Sequence, residues 1–202
     1  PSPAVVVLYR LTSVADHGYD YPIHFRGQLV TTNVKYDAAT VRQEPLGTKF
    51  GYEHLWREGS GRSDSAVKVT WVDGNRYYSS TTAGAPGTEL IFARTGANDP
   101  NFNLISEPLF VVRRRGANAL FATVIEPHGY FSEPQERSIE ARGRVQSVRV
   151  LDSNAEGSVV EVTATGGLKW TVMVANGPAS TTARHTIGGQ SWTGNFEVRG
   201  VQ

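Results

Sequence analysis

"AVKVTWVDGNRYYSSTT", residues 66–82, decides the architecture. Two runs rich in Val, Thr, Tyr and Trp flank Asp73-Gly74, and an Asp-Gly pair between β-formers is the strongest short-range hairpin signal. Outward from it, the same grammar repeats. "ELIFART" (89–95) follows the "AGAPG" loop, and "PLFVVRRR" (108–115) and "ALFATVIE" (119–126) flank Gly116-Ala117-Asn118, which reads as a second hairpin. "RVQSVRVLD", "SVVEVTAT" and "LKWTVMVAN" read as a meander turning at 154–157 and at Gly166-Gly167, and "SWTGNFEVRG" closes the strand pattern. Toward the N-terminus, "AVVVLYRL" (4–11) is apolar and β-branched enough for a strand buried on both faces. "IHFRGQLVTTNV" (23–34) alternates, with Gly27 marking a bulge or bend. About a dozen short strands at regular spacing, with no helical period, predict an all-β, two-sheet antiparallel sandwich.

Composition bounds the function. The chain has 202 residues, 20 Lys and Arg against 19 Asp and Glu, and no cysteine. A formal net charge of +1 gives no reason to invoke nucleic acid or an acidic membrane surface. Thiol chemistry and disulfides are excluded. No apolar run approaches the roughly 18–20 residues of a membrane-spanning helix, so no membrane insertion is expected. The opening "PSPAVVV" lacks an initiator Met and a signal-peptide pattern, and reads as the start of a processed or excised piece. No domain boundary interrupts residues 1–202. "HGYFSEPQE" (128–136) reads as a long loop within one sandwich.

Nucleotide-binding loops, nucleophile elbows and zinc-ribbon spacings are all missing. The densest polar stretch is "ADHGYDYPIHFRGQ". A metal reading would use His17, Asp20 and His24, but strand alternation gives them no reason to converge, and a polar loop entering a strand is the simpler account. "VRRRG" (112–116) alternates, sending Arg113 and Arg115 to one face and Arg114 to the other beside a turn, which reads as a solvated hairpin end. His128 and His185 are isolated and receive no role.

Taken together, the blocks "VVVLYRLTSVADHGYDYPIHFRGQL", "LGTKFGYEHLW", "RTGANDPNFNLISEPLFVVRR" and "FATVIEPHGYFSEPQE" resemble, in order and spacing, the C-terminal β-region of heparinase II/III-like polysaccharide lyases. Within these the resemblance is closest to the alginate and oligoalginate lyases of polysaccharide lyase family 17, and it runs over roughly residues 4–175. The resemblance implies an α/α-toroid N-terminal to this β-sandwich, an active cleft between the two, and β-elimination at a uronic acid of an acidic polysaccharide such as alginate oligosaccharides. It also implies a periplasmic or secreted location in a bacterium. By this alignment the catalytic residues and the His/Asp/His ligands of a structural zinc precede Pro1. No catalytic residue, metal ligand or cofactor is therefore expected in this chain, and alone it is expected to be inactive. A stand-alone carbohydrate-binding or structural β-sandwich module, or the same region of a lyase acting on heparin-like glycans, is the alternative.

"FGYEHLW" (50–56) belongs to the resemblance without being catalytic. Read as extended chain, it puts Tyr52, His54 and Trp56 on one face. Packing of that face against the opposite sheet, with His54 bonded to a backbone carbonyl, is the expectation from composition. The functional alternative has Tyr52 and His54, with His24 and Arg26, meeting a uronate at the edge facing the toroid. Phe102 and Leu104, apolar residues in the turn-rich "GANDPNFNL" loop, are expected either to enter the core or to extend an exposed docking flank near Tyr52.

Overall fold

The computed structural model describes residues 3–38, 44–96 and 106–201. Phe102 and Leu104 lie outside the described residues. Among the described residues fifteen strands run β1 (Val5–His24), β2 (Gln28–Thr32), β3 (Asp37–Ala38), β4 (Leu55–Ser63), β5 (Val67–Asp73), β6 (Arg76–Thr82), β7 (Thr88–Thr95), β8 (Pro108–Ser132), β9 (Arg137–Ile139), β10 (Val145–Ser153), β11 (Gly157–Ala164), β12 (Lys169–Ala175), β13 (Arg184–Ile187), β14 (Gln190–Thr193) and β15 (Phe196–Val201). They form a nine-stranded antiparallel sheet in the order β2-β5-β6-β8-β7-β4-β3, with β1 and β9 also on β8, and a four-stranded sheet β10-β11-β12-β15. A two-stranded ribbon, β13-β14, completes the set. This is an all-β sandwich.

The deciding hairpin forms as β5 and β6, with Asp73 paired to Arg76, so the turn residues are Gly74 and Asn75. Gly74 has φ 57°, a conformation glycine reaches without steric cost. At the ends of the large sheet, β2 and β3 are joined only by residues 33–36, so the sheet must curl until its edges approach. Gly27 turns β1 into β2 at φ 84°, and a Cβ there would sit 1.8 Å from the Val72 carbonyl oxygen.

Strand β8 is the spine, and its side chains serve both faces. Phe110, Val112 and Phe121 enter the core inside the curl, with Val67, Val69, Trp71, Leu90 and Phe92. Ala122 and Val124 face the four-stranded sheet, where Val145, Val148, Val160 and Val162 complete the layer between sheets. Leu109 and Val111 pack with Ile91 and Ala93 beneath Leu46 and Leu55. The outer face of the small sheet is covered by the ribbon, through Ile187 and Trp192 against Val159 and Met173.

The strand buried on both faces is therefore β8, not "AVVVLYRL". Strand β1 pairs with β8 and with no other strand among the described residues, leaving Val5 at 59% and Tyr9 at 42% exposure. The expected hairpin at Gly116-Ala117-Asn118 does not form: β8 runs on for 25 residues, and the register shift between Thr12 and His17 puts the bulge on β1, opposite Ala117. "ADHGYDYPIH" lies wholly within β1 rather than in a loop, because β8 supplies hydrogen-bond partners along its length. "HGYFS" likewise continues β8, and only Glu133–Gln135 leaves it as a short 3-10 turn. The meander of β10, β11 and β12 forms as read.

Candidate functional site

Strand alternation and cross-strand register build one polar network on the large sheet. Asp20 on β1 stands opposite Arg113 on β8. The guanidinium donates twice to the carboxylate, Nε to Oδ1 at 2.7 Å and Nη2 to Oδ2 at 2.8 Å. Tyr52 donates its hydroxyl to Asp20 Oδ2 at 2.6 Å. Burial opposes ionisation of Asp20, but the bonds from Arg113 and Tyr52 outweigh it and hold the carboxyl below its usual range. Burial and the adjacent Asp20 charge push the Tyr52 phenol up. The bond to Asp20 raises the Arg113 guanidinium. Tyr52 is thus a protonated donor at neutral pH, pinned to an ion pair.

The segment carrying Tyr52 does not run extended. Residues Tyr52–His54 form a 3-10 turn entered through Gly51 at φ 88°, and β4 begins only at Leu55. The turn closes locally through His54 N–H to the Gly51 carbonyl, at 3.1 Å. This breaks the common face expected for Tyr52, His54 and Trp56. Tyr52 points to Asp20, and His54 is exposed with no core contact. Trp56 lies over the Gly96 backbone, where a Cβ would approach its Nε1 to 2.1 Å. The expectation that this face packs against the opposite sheet is corrected. A 3-10 turn rotates successive side chains by about a third of a turn, so three alternate residues cannot share a wall.

The other candidate binding residues follow from the end of β1. His24 is exposed between buried Ile23 and Phe25, as alternation requires. Arg26 projects into solvent with 80% of its side-chain surface exposed, 3.7 Å from Glu107. The structure brings Tyr52 to Asp20 and Arg113; it leaves His54, His24 and Arg26 as exposed groups with no hydrogen bond joining them to that network.

His17, Asp20 and His24 do not make a metal site. Both Asp20 oxygens are engaged by Arg113 and Tyr52, and among the described residues no cluster of three or more His, Asp or Glu could hold an ion.

Two functional-looking residues escaped sequence reasoning. The sequence pattern places Arg113 beside a solvated turn, whereas its register partner is Asp20. Arg114 is buried, at 6% exposure. It donates to the Leu120 carbonyl at 2.6 Å, to Thr88 Oγ1 at 3.1 Å and to the Ala83 carbonyl, and lies 4.8 Å over the Phe121 ring. Burial brings its guanidinium down to about 10. The continuous strand through Gly116 moves this arginine into the fold, overturning the solvated hairpin end. His128 is also buried, between Ser79 Oγ at 2.8 Å and the Glu140 carbonyl at 3.0 Å, and stacks on Tyr77.

Comparison with known proteins gives the relationship. Over 188 residues, 92% of the chain, it is 31% identical to an alginate lyase of Stenotrophomonas maltophilia (strain K279a). Over 163 residues, 78% of the chain, it is 30% identical to an exo-oligoalginate lyase of Saccharophagus degradans (strain 2-40). The matched span is 25% of the first protein and 22% of the second, so the chain spans about a quarter of the length of the curated relatives it matches. No family model matches the chain. Most of the chain is thus similar in sequence to one part of each of two alginate lyases.

Proposed function

We propose that this chain is the β-sandwich part of a larger polysaccharide lyase that cleaves alginate or oligoalginate by β-elimination at uronic acid residues, completing the substrate cleft and stabilising an N-terminal α/α-toroid. The observation that carries the reading is the alignment of nearly the whole chain with one quarter of two alginate lyases.

The chemistry needs a group to neutralise the uronate carboxylate, a base for the C5 proton and an acid for the departing oxygen. On this reading those groups, and the structural zinc of the family, are held outside the chain. Its own residues bind and orient. His54, His24 and Arg26 offer exposed imidazole and guanidinium donors to a uronate. The Tyr52–Asp20–Arg113 network fixes the turn that presents His54.

Support for docking comes from β1. Its open edge exposes Val5 and Val6, and beside it an apolar cleft of about 430 Å3 is lined by Val6, Val124, Val162, Leu168, Trp170 and Val198. Val6, Leu168 and Val198 are each more than a third exposed, an apolar rim suited to burial against a further domain.

The test is ultraviolet absorbance of unsaturated uronate. The 202-residue chain alone should release none from alginate. The full-length lyase should release it, with KM raised by His54→Ala and Arg26→Gln and kcat nearly unchanged. Turnover by the isolated chain, or a full-length enzyme inert toward alginate, refutes the reading.

A further inference from the structure

A second polar feature lies apart from the Asp20 network. The edge strand β2 skips a residue in its register with β5 between Leu29 and Thr31, and a bulge of this kind re-aims the side chains that follow. Two depressions, of about 570 and 390 Å3, lie along this strand and share Thr31 and Thr32 in their linings. No residue lining either one is acidic, although the chain as a whole carries 19 Asp and Glu against 20 Lys and Arg. Three are cationic: Lys35, Lys68 and Arg142.

The cations are held in distinct ways. Lys68 is half-buried and donates through Nζ to the Val145 carbonyl at 2.8 Å and the Gly143 carbonyl at 3.3 Å. An ammonium has three donors, so one remains for a ligand. Burial lowers the Lys68 ammonium, with buried Glu126 opposing the shift. Lys35 and Arg142 are exposed and form no ion pair among the described residues. Between the charges stand neutral donors and acceptors, the hydroxyls of Thr31 and Thr165 and the amide of Gln146. At the Lys35 end lies Tyr36, which is 37% exposed and has one side against Phe92, with ring centroids 4.8 Å apart.

We propose that the two depressions act together as one groove, a second saccharide subsite taking an oligouronate with its carboxylates on Lys35, Lys68 and Arg142 and its hydroxyls on the Thr and Gln side chains. Three cations in linings that hold no acidic residue favour an anionic ligand, and interspersed hydroxyl and amide groups match a sugar better than a phosphate. None of its lining residues belongs to the Asp20–Tyr52–Arg113 network. The identity of the uronate rests on the alginate-lyase reading above; the groove's preference for an acidic sugar does not.

The experiment titrates the 202-residue chain with saturated tetramannuronate, tetraguluronate, a heparin-derived tetrasaccharide and neutral cellotetraose, by calorimetry and by amide chemical shifts. A uronate tetrasaccharide should bind, shift the amides of residues 31–36 and 142–146, and weaken as salt is raised. Arg142→Gln and Lys35→Gln, both at exposed positions, should each weaken binding about tenfold, as loss of a charge-assisted contact requires. Arg199→Gln, at an exposed position that lines neither depression, should leave it unchanged. No binding by any acidic sugar, equal binding of cellotetraose, or shifts confined to the neighbourhood of Tyr52 and His54 overturns the proposal. Binding of the heparin fragment alone, lost in the same two variants, keeps the groove and overturns the alginate reading instead.

Discussion

Tyr52 and Asp20 are separated by 32 positions yet meet through a 2.6 Å hydrogen bond that fastens the turn before β4 to the strand β1. Arg113 holds the other side of the same carboxylate, so three elements distant in sequence depend on one ionised group. Asp20→Asn should cost about 2–4 kcal/mol at neutral pH by leaving the part-buried guanidinium short of its counter-charge. Tyr52→Phe, which removes one bond to a charged acceptor, should cost about 1–2 kcal/mol. Urea denaturation of the purified chains checks both, and equal losses would show that the ion pair does not dominate.

The same pair sets an acid response. The folded-state carboxyl of Asp20 lies below its unfolded value. Its contribution to stability is therefore complete above the ordinary aspartate value of about 4 and disappears as pH falls through the lower folded value. Melting temperatures taken from about pH 7 down to about pH 2 should fall less steeply for Asp20→Asn than for the wild type. Parallel curves would remove Asp20 from the acid transition.

Arg114 is a structural cation. Arg114→Ala should destabilise by about 3 kcal/mol, because it strands the Ala83 and Leu120 carbonyls and opens space over Phe121. Lys is no substitute, since a point charge cannot reproduce three directed donors. Arg114→Lys recovering full stability in a thermal melt would contradict this account.

Gly27 cannot be replaced cheaply. A Cβ would overlap the Val72 carbonyl oxygen at 1.8 Å, and φ 84° disfavours any side chain. Gly27→Ala should lower stability by about 2 kcal/mol or more and loosen the β1–β2 corner. Amide exchange at residues 28–32 and 70–72 should rise with it, and unchanged protection there would count against the steric argument.

The open edge of β1 makes the last prediction. If a further lyase domain covers Val6 and Val198, the domain supplied as a separate chain should form a complex, and Val6→Asp with Val198→Asp should abolish it. Such contact should bury about 1,200 Å2 or more to be specific. Complex formation that survives both substitutions would move the docking face elsewhere.

The sheet architecture was readable in the residues themselves because it is written locally. The Asp-Gly turn, the β-branched runs and the glycine-marked turns of the β10–β12 meander each act within a few positions, and each formed where expected. Orders of burial were not readable. "AVVVLYRL" is the more apolar of the two against "PLFVVRR", yet β8 lies between neighbouring strands and under the second sheet while β1 lies at an edge. That difference arises from strand order, which no single segment encodes. The same holds for the candidate site. Asp20, Tyr52 and Arg113 come together only because a bulge at residues 13–16 sets the β1–β8 register and a 3-10 turn, rather than a strand, carries Tyr52. Charge pairing across 93 positions is a property of that register, so neither the segment around Asp20 nor the one around Arg113 encodes it alone.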